Sequence, residues 1–330
     1  MRFYVPTIED IDKIKESMKN NTKMCCEMSP ANTVLWARYY KTEITFWKET
    51  LIFRSLGEDG IYSYSCDLQD SGRAKEVFDQ MNQFAKEQEQ PFRMHCVMKQ
   101  EFDMIEEWYP GKYQIRTDRD YCDYIYLQER LATLAGSKLH GKRNHIHRFE
   151  ERYPDWKYEA ITDANEQECA GMAMHWCMVN CMGEEDQIEY DKIDESRLVV
   201  YAIRHRKQLG MIGGAIRANG KIVAITLGER LTDDTFVVHF EKAYADIQGA
   251  YPIINREFVR HELKAYQYVN REEDLGEEGL RKAKLSYRPE ILLEKGCVIE
   301  KQEEEYQFKV HHIFVTMIQP VTGLTLTSLQ

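Results

Sequence analysis

The chain has 330 residues, 43% hydrophobic and 12% aromatic, with a formal net charge of −11. A single core rarely grows beyond about 250 residues, so this length implies two domains. The acidic balance excludes a protein that coats nucleic acid or anionic membrane over a broad surface, since both draw on basic charge, and leaves room only for a local basic patch.

Read from the start, Met1 to Pro6 and the acidic run from Glu9 contain no apolar stretch of signal-peptide length, and no segment approaches a membrane span of about 20 apolar residues. The expected location is therefore cytoplasmic. The periodicity predicts a helix near Ile8 to Met18, then strands at Ile44 to Trp47, Leu51 to Leu56 and Ile61 to Cys66. A helix with Ala74, Val77, Phe78, Met81 and Ala85 on one face follows, then a strand at Phe92 to Val97, a helix containing Phe102, Ile105 and Trp108, and strands near Tyr113 and Tyr124.

Leu139 to Tyr153 reads as a connector helix, with Leu139, Ile146 and Phe149 inward and Lys142, Arg143 and Arg148 outward. Lys142, Arg143 and His145 are a candidate basic patch if that face borders a cleft, and otherwise the charged exterior any connector needs. Two helices come next, at 165 to 181 and from Ile188 to Arg206. Nine cysteines occur without a Cys-x-x-Cys pair, and Cys169, Cys177 and Cys181 fall at helical spacing, so they read as small core residues. Neither a metal site nor a disulfide framework is expected.

Three strands, Met211 to Arg217, Lys221 to Glu229 and Thr235 to Glu241, form an antiparallel meander whose first turn is Asn219-Gly220, the strongest short hairpin signal. After the loop Tyr244 to Ala250 come a helix with Pro252 in its first turn, a short strand at Tyr266 to Val269, and a helix that Asp274 and Glu277 would cap. Ile291 to Ile299 reads as a closing strand. The expected division is 1–137, a connector at 138–154, a second domain at 155–300, and a tail at 301–330 that forms an edge strand or is partly disordered.

The second half runs ααβββαβαβ and the first half gives a similar order, which suggests duplication. That order is the one found in acyltransferase-like (GNAT-like) folds, so the expected class is α+β, two tandem domains, each a mixed, mostly antiparallel sheet flanked by helices. In such folds a glycine-containing loop opens a helix beside two diverging strands, and free amides there hold a phosphate. Gln248, Gly249 and Ala250 occupy that place, either as an anion cradle or as a plain helix cap.

The segments Asp123-Tyr124-Ile125-Tyr126, Lys142-Arg143-Asn144-His145-Ile146, Gly213-Gly214-Ala215, Asn270 to Gly276 and Gly279 to Lys284 resemble the family defined by the C-terminal domain of phosphatidylglycerol lysyltransferase. The resemblance spans roughly residues 1 to 300. It implies aminoacyl transfer from tRNA, with a tRNA 3′ end as partner and a lipid head group or small molecule as acceptor. The family's characterised relatives carry a membrane-spanning domain upstream, and this sequence shows none. No tightly bound cofactor is expected; aminoacyl-tRNA or, as the alternative, acyl-coenzyme A serves as co-substrate. The family's lysine falls on Lys284, which either reaches into a cleft or snorkels at the surface.

Transfer needs a group that removes the acceptor's proton near the strand divergence. Glu241, His239 and Glu229 are the candidates, and in a regular strand His239 and Glu241 share one face. Asn270, Arg271 and Arg281 are candidate donor-binding residues, or the solvated entrance of a helix. A non-catalytic binding module on the same fold is the remaining reading.

Overall fold

The structure, a computed structural model, describes residues 1–69, 72–180 and 190–301. α1 (Ile11–Ser17) and α2 (Pro30–Leu35) come first; the latter is opened by Ser29, whose hydroxyl accepts from the Asn32 amide, and by Pro30 in its first turn. β1 (Thr42–Trp47) and β2 (Thr50–Leu56) then form a two-residue hairpin. Lys48 and Glu49 both take left-handed φ there, 47° and 74°, the twist a tight hairpin requires although neither is a usual turn residue. β3 (Tyr62–Ser65), α3 (Ala74–Glu87), β4 (Arg93–Val97), α4 (Lys99–Trp108) and β5 (Tyr113–Thr117) follow.

β6 (Asp123–Leu127), α5 (Gln128–Thr133), α6 (His140–Arg152) and β7 (Lys157–Ala160) lead into α7 (Glu166–Asn180) and α8 (Tyr190–Leu209). The meander is β8 (Ile212–Ala218), β9 (Lys221–Arg230) and β10 (Thr235–Ala243), with Asn219 and Gly220 in the expected left-handed turn. α9 (Ala250–Glu262), β11 (Tyr268–Asn270), α10 (Glu278–Leu285), β12 (Ile291–Leu293) and β13 (Gly296–Glu300) complete the described chain. Cys181, the start of the helix expected from Ile188, and the tail beyond residue 301 lie outside the described residues.

The strands form two sheets, ordered β1-β2-β3-β4-β13-β5 and β12-β6-β11-β10-β9-β8-β7. Pairing is antiparallel except for β3 with β4 and β10 with β11. The fold is α+β, with two mixed sheets flanked by helices.

The sheets do not follow sequence order. β6, from the first half, pairs with β11 and β12, while β13, from the chain's end, inserts between β4 and β5. The single closing strand expected over Ile291 to Ile299 is therefore two strands in different sheets. Its break falls at Glu294-Lys295, because Lys295 turns inward onto three carboxylates.

One face of the second sheet packs Ile146 and Phe149 of α6 with Ile254 and Phe258 of α9; the other packs Met172, Val199 and Ile203 with Ile11 and Leu35 from the N-terminal helices. α1 bridges the two halves, since Ile11 joins that core whereas Ile14 packs with Ile44 and Phe53 of the first sheet. The capping box expected at Asp274 does not form. Its buried carboxylate accepts instead from the Gly276 amide at 3.0 Å, from Arg281 and from the Tyr124 hydroxyl.

Candidate functional site

β10 and β11 run together for three residue pairs, ending at Val237 opposite Asn270, and then separate. Separation follows from the residues after β11. Asn270 turns its side-chain amide onto the Met24 carbonyl at 2.6 Å and Asp123 at 2.7 Å, and its side-chain oxygen accepts the Glu272 amide at 2.7 Å. Glu272 takes a left-handed φ of 57°, which ends any strand. β10 continues alone on this side, with a bulge between Val238 and Phe240 that sets His239 out of register with β9. The divergence opens a cavity of about 930 Å³ whose walls come from both halves, including Thr42, Ser55 and His95 on one side and His239, Glu241 and Lys284 on the other.

His239 lies at the bulge with its side chain fully enclosed. Nε2 is 3.0 Å from Glu229 and Nδ1 is 2.8 Å from Glu272. Burial alone would lower its pKa, but hydrogen bonds to the two carboxylates outweigh burial and hold it up at about 9. His239 is thus a fixed imidazolium with neither ring nitrogen free to accept a proton. It ties together β9, β10 and the loop after β11; Glu229 also accepts the Ala31 amide at 2.8 Å, and Glu272 accepts from Asn32 at 3.2 Å.

Glu241 and Arg271 form the second centre. One Glu241 oxygen accepts from Arg271 Nη2 at 2.9 Å and the other from Asn255 at 3.1 Å. The guanidinium lies 4.8 Å from the Tyr287 ring centre, and Lys142 Nζ lies 4.1 Å from the same ring. Burial, and then the charge of Arg271, lower the Lys142 ammonium to about 8. Lys284 also lines the cavity, yet its ammonium is spent on the carbonyls of Arg271, at 2.6 Å, and Glu273. Burial lowers its pKa, and its evident work is to hold the 271–273 loop.

The remaining sequence candidates lie elsewhere. Gly249 has φ 89°, and a Cβ there would meet the His145 carbonyl oxygen at 2.4 Å, so the glycine lets α9 start against α6. In the first turn the Ala250 amide donates to Ile247, the Ile253 amide donates to Gly249, and Pro252 has no amide. Few donors are left for a pyrophosphate, and Gln248 is exposed. Arg281 pairs with Asp274 at 2.7 Å and Asp120 at 2.5 Å, and Arg143 holds the carbonyls of Leu134 and Gly136. His145 faces solvent, so of the basic patch only Lys142 reaches the cavity.

Sequence reasoning missed two groups. The first is an aromatic wall of Trp36, Tyr39 and Tyr40, whose rings pack at 4.9–5.6 Å centre to centre, joined in the cavity lining by Trp176 and Tyr251. The second is a buried cluster of Cys26, Glu27, Asp123 and Glu273, whose ligand atoms lie within 4.8 Å of one another in a cation-binding arrangement. Lys295 supplies the cation, with Nζ 2.5–2.8 Å from all three carboxylates. Burial raises Asp123 to about 6 even beside that ammonium. Aromatic spacing in Trp36 to Tyr40 was a usable signal; the ion cluster, drawn from four separate segments, had none.

The first half has its own divergence between β3 and β4, which share a single parallel pair, Tyr64 with Met94. It is filled. Lys23 reaches the carbonyls of Cys66 at 2.9 Å and Cys96 at 3.4 Å and pairs with fully buried Glu101 at 2.7 Å. The candidate site therefore belongs to the second sheet.

Residues 22–298 match the family profile described as phosphatidylglycerol lysyltransferase, C-terminal. Among solved structures, a conserved protein of unknown function from Bacteroides thetaiotaomicron VPI-5482 is similar at 38% identity, covering 91% of this chain and all (100%) of that one, with a TM-score of 0.82. The C-terminal domain of a protein described as a lysylphosphatidylglycerol synthetase from Agrobacterium fabrum shares the fold at 13% identity over 90% of this chain and 93% of that one, TM-score 0.62. L-PGS from Bacillus licheniformis does so at 14% over 89% and 91%, TM-score 0.59. An uncharacterised protein of Mycoplasmoides gallisepticum is 24% identical over 198 residues, 58% of this chain, and the match spans 61% of that relative's length. Among the described residues no helix is long and apolar enough to cross a membrane.

Proposed function

Since the chain belongs to the phosphatidylglycerol lysyltransferase C-terminal family, we propose that it transfers an activated acyl group, an aminoacyl group carried by tRNA, to a polar acceptor in the cavity at the β10–β11 divergence. The observation that carries this reading is the Glu241–Arg271 pair at that divergence, with Lys142 over the same Tyr287 ring as Arg271. An ester carbonyl placed beside Glu241 develops negative charge as the acceptor attacks, and the Arg271 guanidinium paired with Glu241 is a cation close enough to stabilise it. The attacking amine or hydroxyl loses its proton to Glu241, the ester C–O bond breaks, and the proton passes to the leaving 3′ oxygen. His239 acts through Glu272 and Glu229 as a positioning residue, and Lys284 holds the loop that carries Arg271.

Aminoacyl-tRNA is favoured over acyl-coenzyme A because the first turn of α9 offers so few amides to a pyrophosphate. One observation favours a non-catalytic module: His239 and Glu241 are both fully engaged with protein partners. The test is to incubate the protein with unfractionated tRNA charged with labelled amino acids, and in parallel with acetyl-coenzyme A, and follow loss of the activated bond. Expected is accelerated loss from charged tRNA that Glu241→Gln slows by about a hundredfold. Neither donor turning over, with no thermal shift from either, would refute the transferase reading.

A further inference from the structure

We infer that Lys142 and Arg271 together form a seat for one substrate oxyanion, a phosphate or carboxylate group, against the Tyr287 ring. Arg271, its side chain 12% exposed, uses Nη2 on Glu241, whereas its Nη1 is enclosed with no acceptor among the described residues. A guanidinium cannot shed its proton, so a buried donor left unmet is destabilising unless a ligand meets it. Lys142, whose Nζ sits over the same ring, has no carboxylate or carbonyl within bonding distance among the described residues.

The other cations lining the cavity are accounted for. Lys242 pairs with Glu195 at 2.6 Å, Lys284 donates to two carbonyls, and the His239 imidazolium lies between two carboxylates. Among the described cations lining the cavity, only Lys142 and Nη1 of Arg271 keep unused donors, and both groups lie over the Tyr287 ring, 4.1 and 4.8 Å from its centre. With Glu241 neutralising one of the two charges, the pair carries a net charge of one, which suits a single anionic group. An anion bridging the two cations removes their mutual repulsion and supplies the missing acceptor together, in surroundings that Tyr126 and Tyr287 keep poor in water.

The inference deepens the transferase reading, but binding needs no turnover, so the two fail separately. The full chain is titrated by NMR with inorganic phosphate, dimethyl phosphate and acetate at constant ionic strength held with chloride, following the 13C signal of the reductively methylated lysine that disappears in Lys142→Arg. Expected is saturable movement of that signal with at least one probe. Calorimetry with the same probe on unmethylated protein should show binding weakened about tenfold or more in Lys142→Met and largely kept in Lys142→Arg. Arg271→Lys, which preserves the charge beside Glu241 but lacks Nη1, should weaken it similarly.

Tightest binding of dimethyl phosphate identifies a diester, as in a lipid head group or a nucleic-acid backbone. Tightest binding of inorganic phosphate identifies a terminal phosphate, and of acetate a carboxylate. No saturation with any probe, or equal affinity in wild type and a Lys142→Met variant that melts normally, would overturn the assignment.

Discussion

His239 illustrates how a residue's chemistry is decided by partners far away in sequence. Its type and position on the last meander strand were readable, and both suggested a base. Glu229, Glu272 and the bulge, which no local pattern announces, instead hold it as an imidazolium at neutral pH. The consequence is measurable. A folded-state pKa of about 9 lies above the ordinary 6.5, so the stabilisation from this ion triad is complete below about 6.5 and disappears as pH rises through 9. Urea unfolding should therefore show wild type losing on the order of 1–3 kcal/mol between those pH values, while His239→Gln shows a smaller change and the gap between the proteins narrows. A gap that stays constant or widens with pH would mean that His239 is neutral. Glu241, Arg271 and Lys142 were likewise legible as residue types. Their meeting around Tyr287 depends on α6, β10, the loop after β11 and the turn after α10 converging, which spacing along one element does not encode.

Among the elements, the meander was legible because its alternation is long and its first turn is Asn-Gly. Short elements were not: α2, α5 and β7 carry four to six residues each, too few for a period to declare itself. The exchange of β6 and β13 between sheets escaped for a different reason, since a strand's apolar pattern marks a buried face without naming its neighbour. That exchange makes each sheet depend on the other half of the chain. Among the described residues β5 pairs with β13 alone. Residues 1–137 expressed alone should accordingly give no cooperative melt, and a fragment of that range unfolding in one sharp transition would contradict the interlocked arrangement. The paired divergences argue the same way. Lys23 and Glu101 seal the first and the second stays open, an asymmetry invisible in sequence because Lys23 reads there as an ordinary surface residue.

At the scale of the whole molecule, the cavity is a product of both halves. Segment 24–32 of the N-terminal half bonds to Glu229, Glu272 and Asn270, so the first half supplies one wall to a site whose opposite wall belongs to the second sheet. An overall charge of −11 argues against a broad anion-binding surface, yet it says nothing about two cations held together inside. The account stands on the β10–β11 divergence being the place where an activated acyl group sits. The most direct measurement is a crystal structure of the protein with adenosine carrying an amide-linked 3′ aminoacyl group, a mimic of charged tRNA that cannot be cleaved. The account predicts density in the cavity, with the acyl carbonyl beside Glu241. Density elsewhere on the molecule, or an empty divergence at saturating mimic, would contradict it.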